Sequence, residues 1–250
     1  MHEFPRDELV DWIDPSLVPD GVRVGFTSRA GGTSAGDHAS LNLGFHVDDD
    51  PHDVSANRDL VQREVGAELT WMVQVHGNTV AHASAARTGK RGYLGVGEAD
   101  AVIVESGESA AVMVADCVPL IVVAADGSRA AAVHVGRAGY VLGIAHAVLD
   151  ELGDDAIAFL GPSICGQCYE VREELAREVD ERWPGTAVTT RWGTPGLDIA
   201  GGLERQLRGR GVRTHRSSIC TYESKRHYSH RRATHEGRKT GRFIGLVQIK

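Results

Sequence analysis

Between residues 99 and 135 the chain repeats short apolar runs separated by turn residues. The runs at 99–105, 110–115, 118–125 and 130–135 are dominated by Val, Ile and Ala, and two are apolar almost throughout, which predicts strands buried on both faces. The period then changes. Tyr140, Ile144, Val148 and Leu152 recur every four residues and predict a helix over about 139–152. Ala156–Leu160 reads as another buried strand and 170–182 as another helix. Asp198 can N-cap a helix running to about Arg208, where Gly209 and Gly211 can end it. Val212–Ile219 and Phe243–Ile249 read as late strands, while Gly31–Gly36 and Gly89–Gly97 read as loops. Strands in runs with helices set apart point to an α+β class, or a layered sandwich, in one domain over residues 1–250.

Composition leaves this picture in place. The chain has 250 residues, 42% hydrophobic and 24% charged, an ordinary globular balance. No apolar run approaches the roughly 20 residues that span a bilayer. The start, Met1-His2-Glu3-Phe4-Pro5-Arg6, has no basic region followed by an apolar core, so no leader is expected. Four cysteines do not make a disulfide framework, and a reducing cytoplasm is the natural setting. Charge does change the picture. Residues 205–242 carry 12 Lys/Arg against Glu223 and Glu236, while residues 1–204 carry 14 against 32 Asp/Glu. A solvated basic surface is the plain reading and an anion pocket the functional one. The stretch lacks the interleaved aromatics of single-strand nucleic-acid binders.

Three residues stand out chemically. His76, Cys117 and His134 each follow an apolar run (Trp71–Val75, Val112–Val114, Ala130–Val133), and Gly or Pro comes soon after each. Two imidazoles and a thiolate suit zinc, and three protein ligands leave a fourth position for water, as catalytic sites do. The spacings of 41 and 17 residues match no zinc-finger pattern, and a lone strand His or Cys is more often a packing residue. A second feature is Cys165-Gly166-Gln167-Cys168, set before a helix, where a thiol can be redox-active. The same spacing can supply half of a metal knuckle, although among the cysteines only Cys117 and Cys220 remain, and they form no second pair.

The ordered succession of short motifs carries a resemblance over some two hundred residues. It runs through Ser28-Arg29-Ala30-Gly31-Gly32-Thr33-Ser34, Ser40-Leu41-Asn42-Leu43-Gly44, Asn57-Arg58 and Gln74-Val75-His76-Gly77. It continues through Ala99-Asp100-Ala101, Ala115-Asp116-Cys117-Val118-Pro119, His134-Val135-Gly136, Gly161-Pro162-Ser163-Ile164 and Cys168-Tyr169-Glu170-Val171. It ends with Cys220-Thr221 and Tyr228-Ser229-His230-Arg231-Arg232. The chain resembles the multicopper polyphenol oxidase, or laccase-domain, family. That family is also described as peptidoglycan editing factor and as zinc-dependent purine nucleoside phosphorylase with adenosine deaminase activity.

The resemblance implies a layered α/β/β/α sandwich with mixed sheets and metal ligands at His76, Cys117 and His134. It implies Zn2+ as the ion, with Cu2+ as an alternative, and nucleoside and phosphate as partners; the composition itself leads us to expect neither nucleic acid nor membrane. The implied chemistry is phosphorolysis of adenosine, inosine or methylthioadenosine, together with adenosine deamination. Asp100 and Asp116 are the candidate proton shuttles. Arg29, Arg58 and Arg231 are candidate phosphate ligands, since a guanidinium fork fits phosphate. Asn42 and Gln74 are candidates to orient base or ribose. Turn hydrogen bonds and surface ion pairs are the plain readings of these residues.

Where the family has Trp-Arg after its third ligand, this chain has Arg137-Ala138, and on a strand or tight turn Arg137 would point away from the family's direction. The 12 histidines include no pair two residues apart, which disfavours a multicopper cluster. Met72 and Met113 lie near enough in sequence to leave a single copper open as an alternative. The rival functions are a copper phenol oxidase and a non-catalytic partner in cell-wall assembly or division, with a Cys165/Cys168 oxidoreductase third.

Overall fold

The apolar runs become strands Ala101–Val104, Ser109–Val114, Val118–Ala124 and Ala130–Val135, and every residue in them is buried. The structure is a computed structural model and describes residues 9–89 and 91–250; the N-terminal segment Met1–Arg6, read above as carrying no leader, lies outside those residues. A six-stranded mixed sheet runs in the order Arg213–Arg216, Ala156–Leu160, Val118–Ala124, Ala130–Val135, Ala101–Val104, Val80–His82. Its two outer pairs are parallel and its inner pairs antiparallel. A four-stranded antiparallel sheet runs Val10–Trp12, Val22–Thr27, Phe243–Ile249, Ser109–Val114.

The two sheets face each other across a core that includes Val24, Val112, Ile121, Val123, Phe159 and Val247. Helices Ile144–Leu152, Glu173–Arg182 and Ile199–Gly209 cover the outer face of the larger sheet, through Val148, Val179 and Leu203 among others. Helix Pro51–Val65 covers the smaller sheet through Val61 and Val65. Each fully buried Val or Leu in these layers contributes about 1.5–3 kcal/mol. The order of layers is helix, sheet, sheet, helix, so the α+β class and the α/β/β/α sandwich both hold. No described helix is long and apolar enough to cross a membrane.

Several boundaries differ from expectation. The helix expected over 139–152 is two helices, Arg137–Leu142 and Ile144–Leu152, because Gly143 between them takes a left-handed φ of 79°. The helix expected from 170 begins at Glu173, and the strand expected over Val212–Ile219 is confined to Arg213–Arg216. Trp71–Val73 pairs in parallel with Leu94–Glu98, so part of the Gly89–Gly97 stretch is strand, not loop. Helix Pro51–Val65 had no counterpart in the apolar pattern, because its buried face includes Asn57 and Arg58. Its ends are nevertheless well signalled. Asp50 accepts from the His52 N–H at 2.8 Å, Pro51 opens the first turn, and Gly66 closes it at φ 75°.

Much of the basic stretch 205–242 is neutralised locally. Arg210 pairs with Asp150 and Asp154, Arg208 and Arg216 with Glu204, and Arg238 with Asp37. The guanidinium groups of Arg231 and Arg242 pair with no carboxylate among the described residues, and both residues border cavities.

Candidate metal centre between two cavities

Strand register explains how residues so far apart in sequence meet. Val118–Ala124 and Ala130–Val135 are antiparallel with His134 opposite Pro119, so Cys117 and His134 lie at the same end of the six-stranded sheet. Ala101 pairs with Val133, which brings Asp100 beside His134, and the His134 N–H donates to the Asp100 carbonyl at 2.7 Å. His76 arrives on the turn after Trp71–Val73 with a left-handed φ of 61°. Such a backbone is strained for a histidine. The Asp100 carboxylate holds it there by accepting the N–H groups of Val75 (3.2 Å), His76 (3.0 Å) and Gly77 (2.7 Å).

The donor atoms of His76, Cys117 and His134 lie within 4.8 Å of one another. His134 Nδ1 donates to Asp100 Oδ1 at 2.8 Å, leaving Nε2 for the site, a carboxylate–histidine pairing typical around bound metals. A Cβ on Gly136 would lie 2.6 Å from His76 Cδ2 and 3.2 Å from Cys117 Sγ, so the bare glycine is what lets these ligands close up. The trio therefore fits a tetrahedral soft or borderline ion with one open position.

Without metal the three groups share charge. Burial works against a charged Cys117 sulfur, yet His134 and His76 outweigh it and bring the thiol down to about 6. Burial likewise opposes a charged His134, but the Cys117 thiolate and Asp100 raise it to about 9. Burial pushes Cys168 and Cys220 the other way, and their neighbouring thiols add to the rise at Cys168. Metal-stripped protein should therefore be alkylated by iodoacetamide at Cys117 well before Cys168 or Cys220 at pH 7.5, with the Cys117 rate falling as pH drops through about 6. Equal rates at the three thiols, read by peptide mass spectrometry, would contradict this electrostatic picture.

Two cavities meet at the trio, sharing His76, Ala115, Cys117 and His230. The larger, about 760 Å³, is bordered by Phe45, Trp71, Tyr93, Arg58, Arg91 and Arg242. Arg58 is only 5% exposed. Its guanidinium lies 3.7 Å from the Trp71 ring centroid and 4.5 Å from that of Phe45, and no carboxylate pairs with it among the described residues. Burial draws it down to about 9, which leaves it cationic at neutral pH. The smaller cavity, about 330 Å³, is bordered by Asp116, Arg137, Tyr169 and Arg231.

The other candidates fall into different places. Arg58 and Gln74 border the larger cavity, although the Gln74 amide is already paired with the Met113 backbone at 2.7 and 2.8 Å. Arg231 borders the smaller one, with Nη1 donating to the Glu170 carbonyl. Arg29 and Asn42 border neither. Arg29 binds the Ala39 carbonyl and lies over Tyr228, and fully buried Asn42 bonds Gly44, Asp49 and the Arg242 N–H. Asp100 is fully buried behind His134, which suits it to positioning and not to proton exchange with a substrate. Asp116 borders the smaller cavity at φ 86°, with its carboxylate accepting from Thr221 Oγ1 (2.6 Å) and the Arg231 N–H (2.7 Å).

Arg137 corrects the expected direction. Position 137 opens a helix and does not continue the strand, and its side chain enters the smaller cavity beside Tyr169, whose hydroxyl burial raises while Arg137 and Arg231 oppose that rise. Two further residues reach the site without a sequence signal of their own: His230, which borders both cavities, and Arg242, which borders the larger. Each stood beside a residue already singled out, His230 within the Tyr228–Arg232 motif and Arg242 at the end of the basic stretch.

Known proteins are similar to this chain along most of its length. Residues 23–250 match the family described as multi-copper polyphenol oxidoreductase laccase. A purine nucleoside phosphorylase of Streptomyces coelicolor is 43% identical over 92% of this chain and 96% of its own. One from Corynebacterium glutamicum is 39% identical over 96% and 98%. Among solved structures, a DUF152 protein of Neisseria meningitidis superposes with a TM-score of 0.87 at 29% identity over 97% of this chain and 99% of its own. YlmD of Geobacillus stearothermophilus gives 0.83 at 28% over 96% of each chain.

Proposed function

The chain belongs to the multi-copper polyphenol oxidoreductase laccase family, and on that premise we propose that residues 1–250 form one purine nucleoside phosphorylase-type domain, zinc-dependent and cytoplasmic. The reaction is phosphorolysis of adenosine, inosine or methylthioadenosine, with deamination of adenosine as a second activity. The observation that carries this reading is the placement of the His76–Cys117–His134 trio where an aromatic cavity meets a smaller cationic one. Those two spaces suit a flat nucleoside and a small anion. The names of the relatives point the same way.

When bound, zinc supplies a Lewis acid and an acidified water at the junction. The chain's own residues do the rest. Trp71, Phe45 and Tyr93 give the purine an apolar wall in the larger cavity, where Arg58 and Arg242 offer donors. Arg137 and Arg231 hold phosphate in the smaller one. In phosphorolysis a phosphate oxygen bonds to the ribose C1′ as the C1′–N9 bond breaks. The departing purine takes the electron pair and needs a proton, which His230 is placed to donate from between the cavities. For deamination, in which water replaces the C6 amino group, adenine would turn its C6 toward the junction, and Asp116, next to Cys117, is the carboxylate we assign to carry a proton toward the leaving ammonia. The four free cysteines suit a reducing compartment. Met113 gives no support to a blue-copper centre, because its sulfur accepts from Arg58 Nη2 at 3.4 Å and is committed away from an axial role.

Phosphate-dependent release of hypoxanthine from inosine by purified protein tests the reading, and absence of base release at saturating phosphate would sink it. Within the same assay, Arg137→Ala is expected to raise the KM for phosphate about tenfold, with a smaller change in the KM for inosine. Equal rises in both would place Arg137 outside the phosphate site.

A further inference from the structure

We propose a second metal site, structural and of the Cys3Glu type, formed by Cys165, Cys168, Cys220 and Glu223. Their donor atoms lie within 4.8 Å of one another, in a group separate from the catalytic trio. The sequence shows only half of it. Cys165-Gly166-Gln167-Cys168 looks like an unmatched knuckle, because the second half ends in a carboxylate: Cys220-Thr221-Tyr222-Glu223 has the same spacing.

The two halves also share local geometry. The Cys168 N–H donates to the Cys165 carbonyl at 2.9 Å, and the Glu223 N–H donates to the Cys220 carbonyl at 3.2 Å, so each segment turns back on itself and aims both of its donors the same way. The parallel bridge between Ser163 and Cys220 and the bond from the Thr221 N–H to the Ser163 carbonyl hold the two turns side by side. The Cys165 N–H points at Cys220 Sγ, 3.4 Å away, a contact that links the two turns directly.

Charge supports the assignment. Three thiolates and a carboxylate around a divalent ion carry two excess negative charges. Arg191 lies against the cluster and donates from Nη2 to Glu223 Oε1 at 2.5 Å, leaving the other carboxylate oxygen for the ion. Cys168 and Cys220 are buried and Cys165 is half-buried, so three of the four ligands are already withdrawn from water. The donor set, rich in sulfur and complete at four, fits closed structural zinc.

Such an ion would clamp the two segments that brace Asp116 at the border of the smaller cavity. Ile164, just before Cys165, donates its N–H to the Asp116 carbonyl, and Thr221, just after Cys220, donates its hydroxyl to the Asp116 carboxylate. The inference stands apart from the proposed reaction, since it concerns ligands outside both cavities that surround the trio.

Zinc quantification on full-length protein purified with zinc present tests it. Wild type is expected to hold one equivalent at each of the two clusters, Cys117→Ala to keep the second, Cys165→Ser to keep the first, and the double variant to hold neither. Cobalt titration covers the case in which Cys165→Ser does not fold. Cys117→Ala protein has cysteine only at Cys165, Cys168 and Cys220, so a thiolate-to-cobalt charge-transfer band in it must arise from this cluster. A zinc-free Cys117→Ala protein without that band would overturn the proposal. So would a native mass two hydrogens light from a disulfide among these three cysteines.

Discussion

Inosine phosphorolysis by Cys117→Ala protein is expected to fall by at least roughly 10³-fold in kcat/KM, about 4 kcal/mol of transition-state stabilisation. Cys117 is the only anionic donor of the trio, and two imidazoles alone make a much weaker zinc site. The loss also changes His134. Without the thiolate, His134 loses the largest of the contributions that hold its proton against burial. Metal content should drop by the equivalent belonging to this site. Far-UV circular dichroism should stay as in wild type, because Cys117 sits at a half-buried turn ahead of strand Val118–Ala124 and not within it. Unaltered activity in a variant shown to lack that metal would remove zinc from the reaction.

The strands were legible because their cause is local. Four runs of Val, Ile and Ala, buried on both faces, leave few alternatives, and the structure moves their ends by only a residue or two. The split at Gly143 and the helix Pro51–Val65 were harder for opposite reasons. In the first, one left-handed glycine interrupts an unbroken apolar period. In the second, Asn57 and Arg58 occupy positions a core helix normally gives to apolar residues. Asn57 is there to tie the loops at Thr33, Ser40 and Asn42, and Arg58 to reach the larger cavity.

The trio itself was visible as three strand-end donors, but its geometry depends on register, which no single run of sequence reveals. The same holds for the arginines. Arg29 and Arg58 look equivalent as motif-borne cations, yet one is spent on the Ala39 carbonyl and the other lines a cavity among aromatic rings. Arg137 shows the point most sharply. Whether it faces the site depends on whether the backbone at position 137 continues a strand or starts a helix.

Asp100→Asn is expected to cost about 10–100-fold in metal affinity at the trio, although Asp100 is placed to touch neither metal nor substrate. The carboxylate accepts four bonds with two oxygens. Oδ1 takes His134 Nδ1 and the His76 N–H, and Oδ2 takes the N–H groups of Val75 and Gly77. An amide can present oxygen to only one of these pairs and must set its own N–H groups against donors at the other. In a fully buried position each donor left unmatched costs about 1–3 kcal/mol. Either the left-handed turn at His76 relaxes or His134 loses the bond that fixes its tautomer, and both outcomes misplace a ligand. The pH dependence separates this from simple loss of packing. Burial works against the Asp100 charge, but the His134 bond and the Gly77 and Val75 N–H groups outweigh it and hold the carboxyl below its usual range. The native state therefore binds fewer protons at this group than the unfolded chain does. Its stabilisation is complete above the unfolded carboxyl value of about 3.9 and is lost as pH falls through the lower native value. Asparagine has no such titration. In metal-free protein the stability gap between wild type and Asp100→Asn, measured by urea unfolding, should be widest near neutral pH and narrow in acid. A gap independent of pH would mean that Asp100 acts through shape alone.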